Sequence, residues 1–280
     1  MAVKRTVIRS RVMGFCMGVK AVMQKVEREI ASASDLPLYT YGPLIHNRPV
    51  IEKLRRQGVE VLDQPHEGTA GTLVIRAHGI QPSVRAEFRK AGYRIVEGTC
   101  PRVLKSQNTV LEYSAKGWFV VIVGDRNHGE VKAVQGCAAD SAVVLTEEEA
   151  AQLDIPDKTI VIAQTTFSLR EFDKICKVLT AKNRHITVVH SICPATRERQ
   201  ESLDELLQQV DAVVVAGGKN SANTRRLFLK AKNSGKPSWH IEDAGELPAE
   251  IKNFQRIGIT AGASTPDWII DDIEKALLEM

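Results

Sequence analysis

Three times in this chain a β-branched, strand-like run leads into a cysteine and then a helical pattern. The segments are TVIRSRVMGFCMG at Cys16, YRIVEGTCPRV at Cys100 and ITVVHSICPAT at Cys193. The cysteines recur about 90 residues apart, long enough for a complete supersecondary unit. About 30 residues after each comes a polar turn: YGPLIHN with His46, GDRNHGE with His128 and GGKNSAN with Ser221. Roughly 65 residues after each comes another: RAHG with His78, AQTT with Thr165 and AGAS with Ser264. A chain that repeats one order of elements three times folds as three copies of one topology. Length alone, at about 150 residues per domain, would have suggested two domains.

The local patterns set the class. The runs 6–10, 72–77, 118–124, 159–164, 186–191, 212–218 and 256–262 are nearly continuous and apolar, with little alternation. Strands covered on both faces read this way, as in parallel sheets. Between them lie helical patterns, such as the face formed by Val19, Val22, Met23, Val26 and Ile30. Thr146 with Glu149 and Ser168 with Glu171 fit capping boxes. Ser264-Thr265-Pro266-Asp267 reads as a helix start with hydroxyl caps. The expectation is an α/β protein of three similar units with mainly parallel sheets. The units are 1–99 with Cys16, His46 and His78; 100–192 with Cys100, His128, Glu130 and Thr165; and 193–280 with Cys193, Ser221, Asn223 and Ser264. Ligands in open α/β units sit beyond the carboxyl ends of the strands. Three units in a pseudo-threefold arrangement would bring three cysteines and six polar turns to one centre.

Other classes are excluded by charge and hydropathy. Lys4, Arg5, Arg9 and Arg11 interrupt any leader-like apolar run, and the longest apolar run, Trp118 to Val123, is far short of the ~20 residues that span a bilayer. The expectation is a cytoplasmic chain with reduced thiols and no membrane partner. The 38 basic and 34 acidic residues are too balanced for nucleic-acid binding but leave small anions open.

Three thiolates suit a soft metal. Structural zinc usually takes four ligands, often from close C-x-x-C pairs, and the sequence has no such pair. A [4Fe–4S] cluster can be held by three thiolates with one iron left open to a substrate oxygen. Cys137 and Cys176 lie outside the repeat and read as packing residues. The polar turns offer imidazoles, hydroxyls and backbone donors suited to phosphate oxygens. There is no Walker A motif and no G-x-G-x-x-G after a strand, so the expected ligand is a small phosphorylated molecule rather than a nucleotide. Glu130 is the carboxylate within two residues of a turn histidine and is the candidate acid; His66, His185, His190 and His240 read as surface or capping residues.

With these residues in view, the chain resembles the 4-hydroxy-3-methylbut-2-enyl diphosphate reductases, the LytB family. The matching pieces are GFCMGV (14–19), YGPLIHN (41–47), AHGI (77–80), TCPRV (99–103), NHGEV (127–131), QTTFS (164–168), ICPATRERQ (192–200), KNSANTRRL (219–227) and TAGASTPD (260–267). The resemblance implies a [4Fe–4S] cluster on Cys16, Cys100 and Cys193 at the centre of three α/β units. It implies reductive loss of an allylic hydroxyl, yielding isopentenyl and dimethylallyl diphosphates, the last step of the methylerythritol phosphate route to isoprenoids. It also implies that His46, His78, His128, Ser221, Asn223 and Ser264 hold the diphosphate. Glu130 would deliver protons, with Thr165 (rather than its neighbour Thr166) relaying them beside the substrate oxygen. Reduced ferredoxin or flavodoxin is the electron donor the resemblance implies. Two positions depart from the family pattern: Gly129 stands where Pro is common, and Ala222 where Ser is common. They imply weaker ligand binding at most, with the activity unchanged.

Overall fold

The computed structural model describes residues 5–32, 36–66 and 70–280. Lys4, counted above against a leader, lies outside the described residues. The chain order is β1 (Thr6–Arg9), α1 (Met17–Ala31), β2 (Leu38–Tyr41), α2 (Arg48–Arg56), β3 (Val59–Leu62), β4 (Thr72–Ile75), α3 (Pro82–Lys90) and β5 (Arg94–Val96). Then follow α4 (Pro101–Ala115), β6 (Phe119–Val123), α5 (Gly129–Gln135), β7 (Ser141–Val144), α6 (Glu147–Gln152), β8 (Thr159–Ala163), α7 (Leu169–Lys182) and β9 (Thr187–Val189). The last part holds α8 (Pro194–Leu207), β10 (Ala212–Ala216), α9 (Ala222–Asn233), β11 (Ser238–Ile241), β12 (Arg256–Ala261) and α10 (Asp267–Glu279).

The strands form three four-stranded sheets, ordered β3-β2-β4-β5, β7-β6-β8-β9 and β1-β12-β10-β11. Every pairing is parallel. The three orders are one topology: the first strand of a sheet pairs with the second on its outer side and the third on its inner side, and a fourth closes the edge. The third sheet takes its fourth strand from the start of the chain. Strand 6–9, expected in the first unit, pairs instead with β12, Val7 opposite Ile257. A cysteine turn therefore follows the fourth strand of each sheet: β1 before Cys16, β5 before Cys100, β9 before Cys193.

The capping boxes form as expected. Thr146 Oγ1 accepts from Glu149 N at 3.3 Å and Ser168 Oγ from Glu171 N at 3.4 Å. The start of α10 differs. Pro266 is its cap residue, with no side-chain cap bond. The expected caps are used elsewhere: Thr265 Oγ1 donates to Ala216 O at 3.0 Å and Ser264 Oγ to His46 O at 3.2 Å. Both hydroxyls thus tie loops together rather than a helix end.

The chain divides into two compact units. The terminal unit comprises the chain up to Lys20, Ile45–Gln57 and Pro194–Met280, and contains the third sheet. The central unit comprises Ala21–Leu44 and Gly58–Cys193 and contains the other two. The core of the terminal unit packs Val214, Ile257 and Ile259 against Ile269, Ile270 and Ile273 of α10. In the central unit β8 packs against Phe172, Ile175 and Leu179 of α7. No helix of the described residues is long and apolar enough to cross a membrane.

Candidate active site

In each sheet the two middle strands run in parallel; in the first two sheets the chain leaves them in opposite directions, and in the third it leaves β10 toward β11 and ends in α10 after β12. Ligands bind at such switch points, beyond the carboxyl ends. The polar turns all sit there in chain order. The His46, His128 and Ser221 turns follow β2, β6 and β10; the His78, Thr165 and Ser264 turns follow β4, β8 and β12.

A backbone bond repeats with them. Each cysteine N–H donates to the carbonyl two residues past the third strand of a sheet. The pairs are Cys100 N to Ala77 O (3.0 Å), Cys193 N to Thr165 O (2.8 Å) and Cys16 N to Ala263 O (3.2 Å). The threefold repeat read from spacing is therefore also a repeat of hydrogen bonds. It aligns Ala77, Thr165 and Ala263, and one residue earlier Arg76, Gln164 and Gly262.

The central unit brings the acid–base candidates together. Glu130 lies in α5, two residues after its cap, His128, and is only 2% exposed. Its Oε1 accepts from Thr165 N at 2.6 Å and its Oε2 from Thr165 Oγ1 at 2.9 Å. One residue therefore closes on both carboxyl oxygens across the β6/β8 switch point. His128 Nδ1 accepts from Glu130 N at 3.2 Å, which leaves the neutral ring its proton on Nε2, a donor. The His78 ring packs edge-on against it, centroids 5.0 Å apart. Thr166 takes a different partner, accepting from Gln164 Nε2 at 3.0 Å.

The terminal unit arranges its candidates around backbone. Ser221 caps α9, its Oγ accepting from Thr224 N at 3.3 Å, so the hydroxyl proton stays available to a ligand. Asn223 is buried, and its Nδ2 has no hydrogen-bond partner, a donor in want of an acceptor. Ala222, the departure from the family pattern, is the first residue of α9. Gly218 lies so close to the His46 carbonyl that any Cβ there would overlap it. Ser264 already donates to that carbonyl, and must turn from it to donate to a ligand.

The cysteines separate into two kinds. Cys16, Cys100 and Cys193 are half-buried and stand immediately before the long helices α1, α4 and α8. Cys100 is the cap residue of α4 and makes no side-chain cap bond. Thiolate is the form of cysteine that ligates iron. Cys137 and Cys176 are buried. Burial pushes the Cys137 thiol up to about 11, and it donates to Ala133 O at 3.4 Å. Burial pushes Cys176 up to about 12. These two stay protonated and pack, as the sequence suggests. The donor set offered by the other three fits a thiolate-held iron–sulfur cluster.

Sequence reasoning passed over three polar residues. Gln164 fastens its switch point by accepting from Asp125 N at 3.2 Å. Arg199 is 4% exposed, and its guanidinium donates to Gly14 O at 2.8 Å, two residues before Cys16, and to Ala195 O at 3.0 Å. Arg76 packs on two glycines. Aligning the repeats would have marked Arg76 and Gln164 as equivalents; nothing in the repeat marks Arg199.

Fold and site together define an α/β protein with polar turns at the strand ends and a set of helix-start cysteines. The profile of the family described as LytB protein matches residues 7–278, and the chain belongs to that family. It is 42% identical to the 4-hydroxy-3-methylbut-2-enyl diphosphate reductase of Treponema denticola, over 97% of this chain and 98% of that one. With the reductase of the same name from Aquifex aeolicus the identity is 36%, over 95% and 94%. The structure is similar to that of the E-1-hydroxy-2-methyl-but-2-enyl-4-diphosphate reductase from Plasmodium falciparum, with a TM-score of 0.89, 26% identity, and coverage of 97% of this chain and 87% of that one. A second solved structure, described as the terminal enzyme of the non-mevalonate pathway, has a TM-score of 0.72 at 36% identity, covering 99% and 100%.

Proposed function

We propose that this protein reduces 4-hydroxy-3-methylbut-2-enyl diphosphate to isopentenyl and dimethylallyl diphosphates, as the last step of an isoprenoid route. Two electrons and two protons are consumed, and the allylic hydroxyl leaves as water. The observation that carries this reading is the buried Glu130 carboxyl closed on both oxygens by Thr165, in a chain whose relatives bear that name.

Hydroxide is a poor leaving group, so a placed proton donor eases its departure. Protonated Glu130 is that donor. In the protonated acid the bond to Thr165 runs the other way, Glu130 Oε2–H donating to Thr165 Oγ1 2.9 Å away, and Thr165 gives its own hydroxyl proton to the leaving oxygen. His128 offers Nε2–H, Asn223 its unpartnered Nδ2 and Ser221 its hydroxyl proton to diphosphate oxygens. His46, His78 and Ser264 complete that donor set in this reading. Cys16, Cys100 and Cys193 hold a [4Fe–4S] cluster that supplies electrons singly and a Lewis-acidic iron. Reduced ferredoxin or flavodoxin delivers the electrons, and the setting is the cytoplasm.

The test is anaerobic purification with cluster reconstitution, followed by turnover of the hydroxylated diphosphate with a chemical reductant. The reading requires a brown protein that releases both products. A colourless protein with stoichiometric zinc, or a brown one without turnover, overturns it.

A further inference from the structure

Arg76 is the first residue past β4, two before His78. Its guanidinium lies over Gly42, where an added Cβ would come 2.7 Å from Nη1. The same group reaches Gly129, where an added Cβ would collide with Nη2. Its carbon sits 5.5 Å from the Tyr41 ring, so the cation rests on an aromatic face. Its Nε is buried without a hydrogen-bond partner. Burial lowers its pKa from the usual arginine value, against the opposing pull of Tyr41 and Asp63.

The repeat supplies an internal comparison. Gln164 holds the equivalent place in the neighbouring sheet. It packs on Gly124, the counterpart of Gly42, and bonds Asp125 N in the next turn. Side chains at this place therefore fasten the switch-point turns. Arg76 is longer and reaches the start of α5, directly between His128 and Glu130. The rest of α5 is already tied to the segment after Arg76: Gln107 Nε2 donates to Ile80 O and Ala133 O at 2.9 and 3.1 Å, and Gln81 Nε2 to Lys132 O at 3.1 Å. At the start of the helix this segment places the His78 ring against His128 and the Arg76 guanidinium against Gly129. Gly129 is otherwise a poor choice, because the first helical position takes most residues and glycine weakens helices.

We propose that Arg76 is a positioning residue for the His128–Gly129–Glu130 turn, and that Gly129 is glycine to admit its guanidinium. The catalytic half of this proposal rests on reading Glu130 and His128 as site residues.

The experiment compares wild type, Gly129→Ala, Arg76→Ala and the double variant, each reconstituted and matched for cluster absorbance. Helix propensity alone makes Gly129→Ala stabilising; the pairing makes it harmful only while Arg76 is present. The expected kcat falls about tenfold in Gly129→Ala and in Arg76→Ala, with KM changed less, as a misplaced acid requires. The double variant is expected to lose no more than Arg76→Ala alone. Arg76→Lys, which keeps the charge but not the flat guanidinium, should not restore kcat. Independent, multiplying losses in the double variant, or wild-type kcat in Arg76→Ala, overturn the proposal. If wild type itself turns over no diphosphate, the functional reading falls. Melting temperatures then still read the pairing, and equal shifts for Gly129→Ala in both backgrounds overturn it.

Discussion

The two compact units use their polar residues differently. In the terminal unit several polar side chains are bonded to backbone. Ser221 caps α9, Thr265 holds Ala216 O, Ser264 holds His46 O, and Arg199 holds Gly14 O. In the central unit a buried carboxyl and a hydroxyl face each other, Glu130 and Thr165, beside a pair of touching imidazoles. The terminal unit uses these side chains to tie loops to strands and helices; the central unit sets a buried carboxyl against a hydroxyl. Substitutions in the central unit should therefore damage turnover more than stability, and those in the terminal unit the reverse.

Glu130→Gln breaks that comparison if it is wrong. The introduced amide keeps the shape and still accepts from Thr165 N, but has no carboxyl proton. Loss of a placed acid costs about 10²–10⁴-fold in rate. The expected turnover falls by about that factor, while cluster absorbance and affinity for the substrate persist. Turnover within tenfold of wild type would remove Glu130 from the proton path.

Arg199→Met makes the opposite test. Methionine fills much of the space but leaves the Gly14 and Ala195 carbonyls without their side-chain donor. Of the two, the Gly14 carbonyl is the buried one, and an unmet buried group costs about 1–3 kcal/mol, so a loss of that size is expected in denaturant unfolding. The Cys16 loop should loosen with it, read as faster loss of cluster absorbance in air. An unchanged unfolding midpoint would mean that the loop does not depend on Arg199.

Much of this arrangement was legible in the sequence because its residues recur in register. The seven strands recognised as apolar runs include five of the six middle strands, all but β2, and those five are almost wholly buried. The strands missing from those seven runs were β2, β3, β5, β7 and β11, β5 having been read as the strand-like run before Cys100. The last four lie at sheet edges, with partly exposed residues and short mixed sequences, so one-sided burial gives no continuous run. β2, LYTY, is too short and aromatic to stand out. The cysteines and turn residues were legible by spacing. Arg76 and Arg199 were not, because an arginine reads as solvated surface until the fold shows what buries it. The exchange of β1 into the third sheet was equally invisible, since strand pairing across the whole chain leaves no local mark.

Ser221→Ala is a smaller test of the frame. Loss of a cap hydroxyl costs about 1 kcal/mol, here in unfolding of the terminal unit. In the proposed function it also removes one donor to the diphosphate, so KM should rise while kcat holds. A fall in kcat with KM unchanged would put Ser221 with the chemistry rather than the frame.

The smallest effect concerns His240, read from sequence as a surface or capping residue. It lies half-buried in β11, and its Nε2 donates to Gly217 O at 2.9 Å. Burial lowers its pKa below the usual 6.5, with Lys219 adding to the shift and the Gly217 carbonyl, Glu242 and Glu246 opposing it. As pH falls through 6.5 the unfolded chain binds this proton before the folded one does, so stability drops with acid. The contribution is complete above the unfolded value and declines below it, until the folded imidazole also protonates. Carboxylates held low by ion pairs, such as Glu149 and Asp211, act through their own lower range, near pH ~4 and below. The window from about pH 7 to 5 therefore isolates His240 from them. Wild type should lose melting temperature across that window, and His240→Gln, which keeps a donor for Gly217 O but does not titrate, should lose less. Parallel slopes in the two proteins would show that His240 takes up its proton as easily folded as unfolded, and that the terminal frame is open to water at β11.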